Sequence, residues 1–170
     1  MIRKIAILVS IATMFSSILS FKIEQPFEAL SIDERAALCG LEPAEFQLFS
    51  GIVEAESNRS TDGDLTGRVM IALTIWNRYH DNRFPSDSIT SVIAQQGQFS
   101  TYRRSSGTSC VSGTVYSDQA IVEAYEWIES GEEYPEVLFF NCRSFFRGYE
   151  AYGDGPIGGN YFSSNGGIQE

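Results

Sequence analysis

The sequence predicts an α+β fold, mainly helical, with a small β-element near the C-terminus. Three observations carry this expectation. Capped segments with apolar residues at helical spacing recur between Ser31 and Gly131. A strand-like run stands at Val137-Leu138-Phe139-Phe140. Seven of the fifteen glycines fall between Gly148 and Gly167, which marks a turn-rich end.

The first element reads as a leader. Arg3 and Lys4 precede an apolar run from Ile5 to about Leu19, with small residues at Ser16, Ser17 and Ser20, and the first acid is Glu24. That is the pattern of a secretory signal peptide cleaved after Ser20. The run of about fifteen residues is shorter than the roughly 20 that cross a bilayer as a helix, so membrane attachment is expected only if the segment stays uncleaved.

Ser31-Ile32-Asp33-Glu34 predicts a capping box opening a short helix, which Gly40 ends. Pro43, tolerated in a first helical turn, starts a second helix reaching about Ser57. A third runs from about Leu65 to Tyr79, apolar on nearly every side and therefore buried. After Arg83-Phe84-Pro85, Ser86 and Asp87 are placed to cap a short helix over Ile89, Val92 and Ile93. Residues 95–116 are polar and read as loop. Ser117 and Asp118 then open a helix through Ile128, closed by Gly131. Beyond the strand at Val137–Phe140, one further strand is expected at Tyr161-Phe162.

Composition narrows the function. The chain has 170 residues and a net charge of −10. Its only lysines are Lys4 and Lys22, so no basic face exists to neutralise phosphates, and nucleic acid is excluded as a partner. Loss of the leader leaves 10 basic side chains against 22 acids, a net charge of −12. With 43% hydrophobic and 20% charged residues the composition is globular, and the length suits one domain. Cys39 lies in an apolar helical stretch and reads as a buried thiol. Cys110 and Cys142 flank strand-like segments and are the expected disulfide. One histidine, His80, and three dispersed cysteines cannot supply a zinc site, and no cofactor is expected. His80 is expected to be solvated, away from any cysteine nucleophile.

The informative segment is Phe46 to Glu56. At about 100° per residue from Phe46, the residues Leu48, Phe49, Ile52, Val53 and Ala55 centre near 270°. Glu56 falls near 280°, within that apolar arc, and Glu54 near 80°, on the polar side with Gln47 and Ser50. Glu54 is therefore expected to be solvated, and Glu56 to face the interior. A carboxyl held against apolar side chains loses hydration in its charged form, its pKa rises, and it can serve as a general acid. The bland alternatives are that Glu56 caps or tethers a neighbouring loop, or that the helix ends early and leaves Glu56 exposed.

The blocks Ile52-Val53-Glu54-Ala55-Glu56, Leu65-Thr66-Gly67-Arg68-Val69, Asn77-Arg78, Arg83-Phe84-Pro85 and Gly97-Gln98-Phe99-Ser100 resemble, in content and order, the SleB-type cell-wall hydrolases, which include spore-cortex lytic enzymes. The likeness continues through Glu132, Tyr134 and Val137–Phe140 to Gly158-Gly159-Asn160-Tyr161-Phe162. The resemblance implies a lysozyme-related, lytic-transglycosylase-like domain over residues 46–163, after a signal peptide (1–20) and a helical lead-in (21–45) and before a tail (164–170). It implies a secreted or wall-associated monomer whose partner is peptidoglycan, with Glu56 catalytic. Gln98, Phe99, Ser100, Tyr102, Asn160 and Tyr161 are the expected substrate contacts, and Asn77 and Arg78 the supporting residues. Asp62 and Asp64 are expected to serve as loop and cap residues. The chain departs from the family pattern in two places. Three extra residues lie between Glu56 and Gly67, and Asn160 stands where relatives often have histidine. Asparagine cannot take a proton near neutral pH, so a non-catalytic peptidoglycan-binding module is the alternative.

Overall fold

The structure is a computed structural model, and it describes residues 25–57, 65–84, 86–103, 106–142 and 151–164. The leader, Asp62, Asp64 and the tail beyond Ser164 lie outside the described residues. The chain divides at Leu30 into two units; the described part of the first holds one short 3-10 turn, Phe27–Ala29. Among the described residues of the second are five α-helices and two small antiparallel sheets. No helix among them is long and apolar enough to cross a membrane.

Local chemistry starts each helix. In α1 (Ile32–Leu38) the Glu34 amide donates to Ser31 Oγ at 3.3 Å and Glu34 Oε2 accepts from the Ser31 amide at 2.8 Å, the reciprocal box the sequence predicts. Pro43 opens α2 (Pro43–Glu56). Two helices begin elsewhere than expected. For α4 (Ile89–Ala94) the cap is Ser88, whose extended backbone lets its hydroxyl accept from the Ser91 amide, rather than Ser86 or Asp87. For α5 (Val115–Glu129) the cap is Thr114. Ser117 is the third residue of that helix and answers the cap, while Asp118 turns inward to Arg35 at 2.7 Å.

The core forms where α2, α3 (Leu65–His80) and α5 meet. Phe46, Phe49, Ile52, Val53, Ile71, Leu73, Ile75 and Ile121 are fully buried. Trp76 centres them, 5.6 Å from Phe49 and 5.3 Å from Tyr125 between ring centroids. Burying side chains of this size is worth roughly 1.5–3 kcal/mol each before the entropy of ordering is subtracted.

The β-structure exceeds expectation. Residues 95–116, expected as loop, contain a hairpin, β1 (Tyr102–Arg103) with β2 (Thr108–Ser109). Strands of two residues are too short to show alternation. The second sheet runs in the order β3 (Phe139–Asn141), β5 (Asn160–Ser163), β4 (Ala151–Ile157). β4 is invisible to propensity because it carries Gly153, Gly155 and Pro156. It tolerates them as an edge strand, where a missing amide donor or side chain costs little. Gly158 and Gly159, at φ +56° and +82°, form the two-residue turn that sets Asn160 opposite Ile157.

The β1–β2 hairpin lies on α2 through Gly51. A Cβ there would stand 2.6 Å from the Val111 carbonyl oxygen and 2.7 Å from Ser109 Cβ. Gly51→Ala, which helix propensity alone would favour by about 1 kcal/mol, is therefore expected to destabilise the domain by about 1–3 kcal/mol. Urea unfolding followed by tryptophan fluorescence measures this, and a stabilised variant would contradict the packing.

Candidate functional site

Glu56 occupies the last turn of α2, half-buried. The Thr101 hydroxyl donates to its Oε1 at 3.0 Å, and the Asn160 amide donates to its backbone carbonyl at 3.3 Å. Thr101 is held by the base of the hairpin, where its carbonyl accepts from the Cys110 amide at 2.9 Å. Asn160 is set by the glycine turn. Three separate elements thus meet at one residue, the hairpin base at its carboxyl and β5 at its backbone carbonyl. Burial raises its pKa above the ordinary carboxylate value, and the Thr101 hydrogen bond only partly offsets that rise. Its place at the negative end of the helix dipole acts in the same direction as burial.

Glu54, one residue removed, has the opposite fate, but not by solvation as the wheel suggested. It is half-buried and ion-paired. Arg68 Nε and Nη2 reach its two carboxylate oxygens at 3.2 and 3.0 Å, and the Thr114 hydroxyl donates to it at 2.8 Å. Burial raises its pKa, but the Arg68 and Thr114 hydrogen bonds and the Arg68 charge outweigh burial and hold it below the ordinary value. Arg68 is 2% exposed and lies over the Tyr116 ring. Two carboxyls in one turn are thereby driven apart, one kept ionised and one biased toward the proton, which is how an acid is selected from a pair.

Thr101 was not singled out by the sequence. It directly follows the Gly97–Ser100 block, but no periodicity marks it. Because its hydrogen bond favours the charged form, Thr101→Val is expected to raise the Glu56 pKa further. A carboxyl-selective NMR titration reads this, and a downward shift would contradict the geometry.

The other expected site residues divide into two groups. Gln98, Tyr102 and Tyr161 are half-buried and Ser100 is exposed, so these four retain surface beside the carboxyl's supports. Phe99 does not: at 6% exposure it packs between Arg78 and Phe140, which corrects its assignment as a substrate contact. Asn160 is also buried, with its amide spent on the α2 terminus. Asn77 and Arg78 are buried at the end of α3 and bond to backbone carbonyls. Asn77 Nδ2 donates to the carbonyls of Pro135 and Val137 at 3.0 and 2.9 Å, and Arg78 Nε to that of Leu138 at 2.6 Å. The Arg78 guanidinium stands 5.1–5.6 Å from the centroids of Phe84, Phe139 and Phe99. It ties the end of α3 to both β3 and the segment leading to Thr101.

All three cysteines are free thiols, which corrects the expected Cys110–Cys142 disulfide; both of those are exposed. Burial pushes the Cys39 thiol up to about 12, so it stays protonated and inert. His80 is exposed and stacked on Trp76.

A concavity of about 570 Å³ between α2 and the hairpin, lined by Gln47, Ser50, Ser109 and Gly113, does not include Glu56. Its one carboxyl, Asp118, is already engaged by Arg35 and Ser50. Glu56 lies outside this concavity, and among the described residues its Oε1 has one hydroxyl donor, Thr101.

Comparison with curated proteins and with solved structures yields no significant match. A family model described as Cell Wall Hydrolase matches residues 63–149, the span from the approach to α3 to beyond β3, which contains Arg68, Asn77, Arg78, Thr101 and Thr114. Glu56 lies just before that span, joined to it by the Thr101 hydrogen bond. With half of its length matched, the chain belongs to the cell wall hydrolase family.

Proposed function

We propose that this protein is a secreted, SleB-type enzyme that cleaves the glycan strands of peptidoglycan, with Glu56 as its general acid and then its base. The supporting observation is the divergence of the two carboxyls in α2. Glu56 is desolvated and biased toward the proton, while Glu54 is held ionised by Arg68. A protonated Glu56 donates to the oxygen bridging muramic acid and glucosamine as that bond breaks. The resulting carboxylate then accepts the proton of the muramic 6-hydroxyl, which closes a 1,6-anhydro ring. If water takes the place of that hydroxyl, the outcome is muramidase-like.

Two-carboxylate hydrolysis requires a second free acid facing the first across the sugar. Glu54 is unsuited to this, being on the far side of the helix and committed to Arg68. Gln98, Ser100, Tyr102 and Tyr161 would then border the strand, with amide, hydroxyl and aromatic surfaces suited to neutral sugars. The leader would deliver the protein to the wall, where a single acid suffices and neither metal nor cofactor takes part.

Asn160 favours a second reading, a module that binds peptidoglycan without turnover, because its amide cannot relay a proton. Incubation of the purified protein with isolated peptidoglycan separates the two. Release of soluble muropeptides is expected, whereas saturable sedimentation with the wall and no soluble product would establish the binding module.

A further inference from the structure

A second concavity, about 640 Å³, opens between α3, α5 and β4. Its lining combines Trp127 and Tyr152 with Ile157 and three carboxylates, Glu123, Glu126 and Glu132, and among the described residues no lysine, arginine or histidine lines it. The volume is in the range of small-molecule sites. Tyr152 is 42% exposed, one of three large hydrophobic side chains so exposed among the described residues. The Trp127 indole is fixed in place, its Nε1 donating to the Glu133 carbonyl at 3.2 Å. Glu123 accepts from Gln119 at 2.8 Å, and no basic side chain is ion-paired to any of the three acids among the described residues. The groove also reaches the proposed chemistry. Ile157 on its wall is the register partner of Asn160, whose amide donates to the Glu56 carbonyl.

We infer that this groove is a distal sugar subsite that takes a glucosamine unit whose amine is free and protonated. Aromatic side chains offer apolar surface for a pyranose ring, and an ammonium group near an indole or phenol face is attracted by the ring quadrupole. The same ammonium compensates carboxylates that a neutral ligand would desolvate without return. An N-acetylated sugar would set its acetamide methyl against those acids. A stem peptide fits less well, since its own carboxylates would meet three more. The inference rests on the glycan-strand reading above, with the groove holding a de-N-acetylated unit of a strand engaged at Glu56.

The test is calorimetric titration of the purified protein, in mildly acidic low-salt buffer, with a glucosamine tetramer, an N-acetylglucosamine tetramer and an oligolysine of equal charge. The glucosamine tetramer is expected to bind about tenfold more tightly than either control, the scale of one desolvated cation–aromatic contact. That preference should vanish in Trp127→Ala and in the Glu123→Gln, Glu126→Gln double variant, return in Trp127→Phe, and persist in Glu56→Gln. Equal binding of the two sugars, equal binding of oligolysine, or loss in Glu56→Gln but not in Trp127→Ala would overturn the subsite. Circular dichroism of each variant separates lost binding from lost fold. Wild type should digest fully N-acetylated peptidoglycan, which offers the groove no free amine. Failure of wild type to digest it would therefore count against the glycan-strand reading, while the titration alone decides the groove.

Discussion

Arg68→Leu is expected to destabilise the domain by about 2–3 kcal/mol, between the cost of losing a surface pair and that of breaking a fully buried one from one side. The guanidinium is 3% exposed and spans both oxygens of Glu54, which also accepts from Thr114 at the entrance to α5. Removal leaves a half-buried carboxylate with only hydroxyl donors, from Thr114 and Ser117, in place of a charge. The Arg68→Leu, Glu54→Leu double variant is expected to recover most of the loss, because two well-packed apolar side chains leave nothing uncompensated. Urea unfolding of the single and double variants measures both effects. A single-variant cost below about 1 kcal/mol, the range of surface pairs, would show that the pair is solvated after all.

The pH dependence follows from the same pair. The folded pKa of Glu54 is depressed, so its contribution is present above the ordinary carboxylate pKa and is lost as pH falls through the folded value. Glu56 is opposite in sign. Its raised folded pKa makes ionisation costly, so stability falls as pH rises from the ordinary carboxylate value through the folded one.

Glu56→Gln carries the largest expected effect on function. Loss of general-acid catalysis is expected to lower peptidoglycan cleavage by about 10²- to 10⁴-fold. Stability above neutral pH should hold or rise, because the amide keeps the carboxyl's shape and an acceptor for Thr101 without a desolvated charge. Thermal unfolding supplies that control. A variant that lost activity only by unfolding would remove the argument from Glu56. In the wild type, activity should fall as pH rises through the raised Glu56 pKa.

What could be read from the sequence was governed by neighbours in the chain. The α1 box closes within four residues, Pro43 declares a first turn, and the helical repeat put Glu56 into an apolar arc. What could not be read depends on partners far along the chain. Glu54 looked solvated because Arg68 and Thr114, which capture it, lie fourteen and sixty residues away. Arg68 and Arg78 sit in a helix whose pattern is apolar throughout. Only the folded arrangement shows each guanidinium paired or enclosed, Arg78 by three phenylalanine rings. Thr101 reaches Glu56 across forty-five residues through a hairpin too short to announce itself. β4 was hidden by the glycines and proline that an edge strand accepts. Cys110 and Cys142 suggest a pair because they flank strand-like segments, but such a position does not determine the geometry a disulfide requires.

The most direct measurement is mass spectrometry of the soluble products released from purified peptidoglycan by wild type and by folded Glu56→Gln, side by side. Wild type is predicted to release fragments ending in 1,6-anhydromuramic acid, and the variant to release essentially none. Equal release by both would contradict the assignment of Glu56 as the acid.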